Sequence, residues 1–101
     1  MARFSRFGFV AVDGGSMEPT YAAGDWLLVR WGARAQVGHV VVVERESYPG
    51  VFFIKRLVRM DQQGCWVEGD NKNSSTDSRS WGLLNCGEVV GKVLLRYRKA
   101  R

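Results

Sequence analysis

Ser16 and Lys55 are the two side chains whose settings suit a reaction. Ser16 lies in Gly14-Gly15-Ser16-Met17-Glu18-Pro19-Thr20, just after the apolar run Phe7 to Val12. The two glycines tolerate positive φ and close backbone approach. Pro19 fixes its own φ and pushes Glu18 toward extended geometry. The expected product is a serine on a stiff, exposed corner. Such a corner suits a nucleophile, but it also suits an ordinary turn built from Gly and Ser, the commoner case. Lys55 lies in Val51-Phe52-Phe53-Ile54-Lys55-Arg56-Leu57-Val58, which reads as a strand. On a two-residue period it shares a face with Phe53 and Leu57. Burial among such neighbours disfavours the charged form of a lysine. The alternative is an edge-strand lysine that snorkels into water. A serine hydroxyl needs a base beside it. A neutral lysine can be that base, as in the serine–lysine variants of the serine–histidine–aspartate arrangement. Phe53 and Leu57 are the nearest candidates for apolar walls, with Met17 and Ile54 as further ones.

A third stretch, Gly69-Asp70-Asn71-Lys72-Asn73-Ser74-Ser75-Thr76-Asp77-Ser78-Arg79, completes a set. SMEPT, IKR and GDNKNSSTDSR, in this order, resemble the type I signal peptidase family of serine–lysine proteases. The resemblance runs from about Phe7 to Arg98. It implies Ser16 as nucleophile and Lys55 as general base. Ser75, rather than Ser74, matches the serine that hydrogen-bonds the catalytic lysine. Asp77 and Arg79 match a structural ion pair beneath the site, and Gly69, Asp70 and Asn71 belong to the same supporting stretch. The backbone N–H of Ser16 is the implied oxyanion donor. Many family members carry a hydroxyl two residues before the nucleophile, but here that position is Gly14, which has none. The family usually has aspartate where this chain has His39, its one histidine. No motif supplies His39 with a carboxylate orienter, so it is assigned no catalytic role.

The flanking segments GDWLLVRWGA, VGHVVVV and EVVGKVLLRYR are similar to the small soluble branch of nickel-type superoxide dismutase maturation proteases. That resemblance implies a substrate: a nickel superoxide dismutase precursor that loses a short N-terminal leader. The mature N-terminal residues of that enzyme, with the free amine, bind the nickel, so a leader would block the site. The protease itself is expected to need no metal or cofactor, and the sequence holds no ligand cluster.

The elements that must position these residues read as strands. At 101 residues the chain is expected to be one domain, residues 1–101. With 46% hydrophobic and 25% charged residues, it can fill a core. Strands are expected over Phe7 to Asp13, Trp26 to Trp31, Val40 to Val43, the Lys55 run, Cys65 to Glu68 and Val89 to Tyr97. Gly91 is the expected bulge. Leu83-Leu84 reads as a brief strand or a helical turn. Asp25 is expected to order the Gly24 turn, and the four tryptophans to sit in core and rim. Many short β runs parted by turn signals predict an all-β, small barrel-like domain of coiled short sheets. No amphipathic run is long enough for a major helix.

Charge and cysteine usage narrow the classes further. The net charge of +5 permits contact with nucleic acid or an anionic surface without requiring either. The expectation is no nucleic-acid partner. Arg3 and Arg6 give a basic start, but the apolar run after them is short, is interrupted by Gly8 and ends at Asp13, so it is not a signal peptide. No run approaches a membrane span. The tail, frayed from Arg98 to Arg101, together with Arg96 could hold an anionic surface weakly. Cys65 and Cys86 have no metal-ligand spacing; they could pair, and two buried thiols of a cytosolic protein is the favoured reading. The rival functions are a general leader peptidase acting on exported proteins and, from another class, a self-cleaving repressor-like dimerisation module. The second would need a DNA-binding head, and no recognition helix is visible.

Overall fold

A computed structural model of the chain describes residues 6–73 and 75–101. Arg3 and Ser74 lie outside the described residues. Six strands form one antiparallel sheet: β1 (Phe7–Ala11), β2 (Trp26–Trp31), β3 (Val40–Glu44), β4 (Phe52–Asp61), β5 (Gly64–Glu68) and β6 (Val89–Arg98), in the order β1-β2-β6-β3-β4-β5. The all-β expectation holds. The longest helix among the described residues is α1 (Ser78–Trp81), and none is long and apolar enough to cross a membrane.

β3 is the hinge of the architecture. Val40, Val41, Val42 and Val43 are all buried, because β3 lies inside the sheet between β6 and β4 and is covered on both faces. A continuous apolar run is what two-sided burial demands. Successive side chains point to opposite faces, so Val40 and Val42 join one core with Met17, Leu27 and Val29, while Val41 and Val43 join a second with Leu57, Val67 and Leu84. The register places Lys55 opposite Val41 and Phe53 opposite Val43, which puts both on the second face.

β1 stops at Ala11, short of the expected Asp13, because Val12 pairs with a turn instead of a strand: its N–H donates to Asp25 O and its carbonyl accepts from Gly24 N, both at 2.8 Å. The register between β3 and β6 slips by one residue beside Gly91, passing over Val90. A Cβ on Gly91 would lie 2.8 Å from Val29 Cγ1 and 3.0 Å from the Trp31 ring, so this close approach requires glycine.

Two expectations are corrected. Cys65 and Cys86 form a disulfide, with Cα atoms 5.3 Å apart. They meet because Cys65 bridges Leu84 by two main-chain hydrogen bonds, which brings the 3₁₀ turn Cys86–Glu88 against β5. The C-terminal tail is also held. Strand β6 continues through Arg98, and Ala100 N donates to the buried Asp25 carboxylate at 2.7 Å.

Candidate active site

The Ser16 turn is fixed from below and from the side. Met17 is fully buried in the first core, and its sulfur accepts from Asp70 N at 3.4 Å. Asn71 clamps the turn from the facing loop: its N–H donates to Ser16 O at 2.8 Å and its side-chain amide to Gly15 O at 3.0 Å. Asp70 completes this junction. It accepts from Thr20 Oγ1 at 2.5 Å and from Arg56 through Nε at 2.9 Å and a second nitrogen at 2.6 Å. The Arg56 hydrogen bonds hold the Asp70 carboxyl below the usual range, against the opposing effect of burial. A Cβ on Gly69 would collide with Ser75 Oγ and sit 2.6 Å from Ser16 O, so only glycine lets the two loops meet here.

Lys55 is 3% exposed. Its Nζ donates to Ser75 Oγ at 3.1 Å, and Ser75 Oγ in turn donates to Asp77 Oδ2 at 2.7 Å. Asp77 is wholly buried and caps α1. It also accepts from Gly69 N at 2.8 Å, from Arg79 N and Nε at 3.0 Å each, and from the Arg79 fork at 2.8 Å. Burial opposes its ionisation, but hydrogen bonds from Arg79, Ser75 and Gly69 outweigh that and hold its carboxyl far below the usual range. Burial lowers the pKa of Lys55; the Asp77 charge resists this and the Arg79 charge assists it. Lys55 also faces the Trp81 ring, with Nζ 6.0 Å from its centroid, and the Phe53 ring meets Trp81 edge-on at 5.1 Å.

Ser16 and Lys55 line one cavity of about 90 Å³, together with Ala11, Asp13, Met17 and Ile54. No hydrogen bond joins Ser16 Oγ to Lys55 Nζ, and the Ser16 backbone N–H has no acceptor among the described residues. Catalytic hydrogen bonds often tighten only once substrate is bound. A larger hollow of about 330 Å³, lined by Arg45, Glu46 and Glu88, holds neither Ser16 nor Lys55. Phe53 lines the Ser16 cavity as expected of a wall residue, whereas Leu57 does not: it is fully buried in the second core. His39 accepts from Gln36 N through Nδ1 and stays outside the cavity. No group of three or more His, Cys, Asp or Glu residues suited to a metal occurs among the described residues.

Sequence reasoning missed three contributors. Arg56 was visible in the IKR stretch and Thr20 in SMEPT, but their joint grip on Asp70 crosses fifty residues and no local pattern encodes it. Trp81 reads as core or rim, yet its ring meets both Lys55 and Arg45, whose guanidinium is 4.9 Å from the ring centroid.

Residues 3–93 match the family model described as Peptidase S24-like. Among curated proteins, the chain is 30% identical to mitochondrial inner membrane protease subunit 1 of Xenopus tropicalis, over 92% of this chain and 71% of the relative. The human protein of the same name is 26% identical over 88% of this chain and 68% of its own length. Thylakoidal processing peptidase 1 of Arabidopsis thaliana is 27% identical over 96% of this chain but only 28% of its own length.

Proposed function

The chain belongs to the Peptidase S24-like family and is by that membership a serine endopeptidase, and we propose that Ser16 and Lys55 carry its chemistry. One observation carries this reading. Lys55, buried and with a lowered pKa, has its Nζ steered by Ser75 Oγ on the wall of the same cavity as Ser16.

In this mechanism neutral Lys55 takes the proton of Ser16 Oγ as the oxygen attacks the scissile carbonyl. The Ser16 backbone N–H, which has no acceptor among the described residues, stabilises the oxyanion. Collapse of the intermediate breaks the C–N bond, and Lys55 gives its proton to the departing amine. Water, deprotonated by Lys55, then attacks the acyl carbon; the bond from that carbon to Ser16 Oγ breaks, and Lys55 returns the proton to Ser16 Oγ. Ser75 and Asp77 position the lysine. Asp77–Arg79, Gly69, Asp70 and Asn71 hold the two loops together.

The substrate we propose is a precursor protein with an N-terminal leader, and specifically a nickel-type superoxide dismutase precursor, acted on in the cytoplasm. The Cys65–Cys86 bridge favours the second reading, a leader peptidase for exported proteins, because disulfides persist in oxidising compartments. Incubation with a leader-bearing nickel superoxide dismutase precursor, read by intact mass, separates the two. Loss of the leader mass with wild type but not with Ser16→Ala supports the first. An unaltered precursor beside cleavage of a secretory leader supports the second.

A further inference from the structure

We propose that Asp13 is a specificity-determining residue, selecting a substrate with a basic side chain within about four residues of the scissile bond. The inference rests on the peptidase reading above.

Val12 spends both of its main-chain groups on the turn beside it, at Asp25 and Gly24. In the two trans peptide planes that flank Val12, the Ala11 carbonyl and the Asp13 N–H therefore point the other way, away from that turn, and both residues line the cavity with Val12. The facing wall behaves alike. Leu57 bonds toward β3 through His39 O and Gly38 N, so Ile54, three residues back, turns its groups the opposite way. β5 pairs with β4 only from Arg56 onward, so Ile54 has no strand on that side. The cleft therefore lies between two unpaired strand edges, and an extended peptide can add to them.

Asp13 is the acid on this cleft. It is exposed, and it makes no ion pair or side-chain hydrogen bond among the described residues. Four other acids, Asp25, Asp70, Asp77 and Glu88, each meet an arginine. Asp13 is also not the counter-ion of Lys55, whose charged neighbours are Asp77 and Arg79. With Lys55 inclined to neutrality, the cleft presents a negative charge that the protein does not use. The chain as a whole is +5, so its overall field repels a cation and this local carboxylate is what attracts one. Asp13 precedes Ser16 by three residues. At about 3.3 Å per extended residue, only side chains near the scissile bond come within its reach.

The test is a mixed-sequence peptide library, with cleavage products identified by mass spectrometry for wild type, Ser16→Ala, Asp13→Asn and Asp13→Lys. Matched peptides carrying Lys, Gln or Glu at the selected position then give kcat/KM ratios. Wild type should favour Lys over Gln about fivefold at one position, the scale of a partly exposed ion pair. Asp13→Asn should bring that ratio to about one, and Asp13→Lys should invert the preference toward Glu. Raised salt should shrink the wild-type ratio. Cleavage that depends on Ser16 but shows no basic preference, or one that persists in Asp13→Asn, overturns the proposal while leaving the peptidase reading intact. No Ser16-dependent cleavage of any peptide overturns both.

Discussion

The half of the sheet that carries the serine and the half that carries the lysine each contain a buried aspartate, and they use it differently. In the serine half Asp25 is 1% exposed and binds mainly backbone: Ala22 N at 2.9 Å and Ala100 N at 2.7 Å, with Arg96 at a distant 3.5 Å. Hydrogen bonds from Ala100 and Ala22 lower its pKa, against the effect of burial. Asp25 joins a turn to the chain end and touches nothing reactive. In the lysine half Asp77 holds Arg79 through a fork, and it also receives Ser75 Oγ, which receives Lys55 Nζ. A buried acid becomes part of a site only when a relay connects it to a group that can react. The serine half positions Ser16 by main-chain clamps and the apolar anchor Met17, as the proposed role of nucleophile requires. The proposed base needs its pKa adjusted as well, and a polar relay beside an apolar wall can do that.

The largest effect tests whether each half supplies one reactive group. Ser16→Ala should leave no measurable processing, and Lys55→Ala should lower turnover by roughly 10²–10⁴-fold with the fold intact by circular dichroism. Near-normal turnover in either variant would remove that half from the chemistry.

Exchanging the two aspartates sharpens the contrast. Asp77→Asn should cost about 2–3 kcal/mol of stability, a charged hydrogen bond lost in a buried place, and should lower turnover with it. Asp25→Asn should cost about 1–2 kcal/mol and leave turnover near wild type. The native pKa of Asp77 is depressed, so its stabilisation is complete above the unfolded carboxyl value of 3.8 and is lost as pH falls through the native value. Denaturant titrations at neutral and acid pH, set beside turnover, would break the comparison if both variants behaved alike.

Ser75→Ala removes the link between the acid and the lysine. Turnover should fall about 10- to 100-fold, or about 1.4–2.7 kcal/mol, in steady-state kinetics. Stability should fall less than for Asp77→Asn.

The smallest effect has an unusual sign. The native pKa of Lys55 lies below its ordinary 10.5, so between the two values the unfolded chain holds more protons than the native one. Stability should rise with pH across that window. Below it both states are protonated, and the native state bears the full cost of a buried charge. Lys55→Met should therefore lose turnover as Lys55→Ala does, yet be about 1–2 kcal/mol more stable than wild type where native Lys55 is still charged, with the advantage shrinking as pH rises toward 10.5. Chemical denaturation across that pH range checks this.

Much of this division could be read from the chain. Two-residue alternation placed Lys55 on the face of Phe53, and the valine run announced a strand covered twice. Other features depend on contacts that no local pattern carries. Cys65 and Cys86 stand 21 residues apart without a motif, and only the bridge from Cys65 to Leu84 brings them together. The tail looked free because its anchor, Asp25, lies 75 residues away from Ala100 in the sequence. Leu57 shares the lysine's face, as alternation predicts, but lies deeper in the second core than the cavity reaches. Alternation fixes a face without fixing depth.

The account stands or falls on the protonation of Lys55. Following the ¹⁵N shift of each lysine Nζ against pH, with Lys55 assigned by its absence from Lys55→Met, measures that directly. The expected result is a Lys55 that titrates below 10.5. A Lys55 that titrates at or above 10.5 would remain an ammonium at neutral pH, unable to take the proton of Ser16, and would contradict the mechanism.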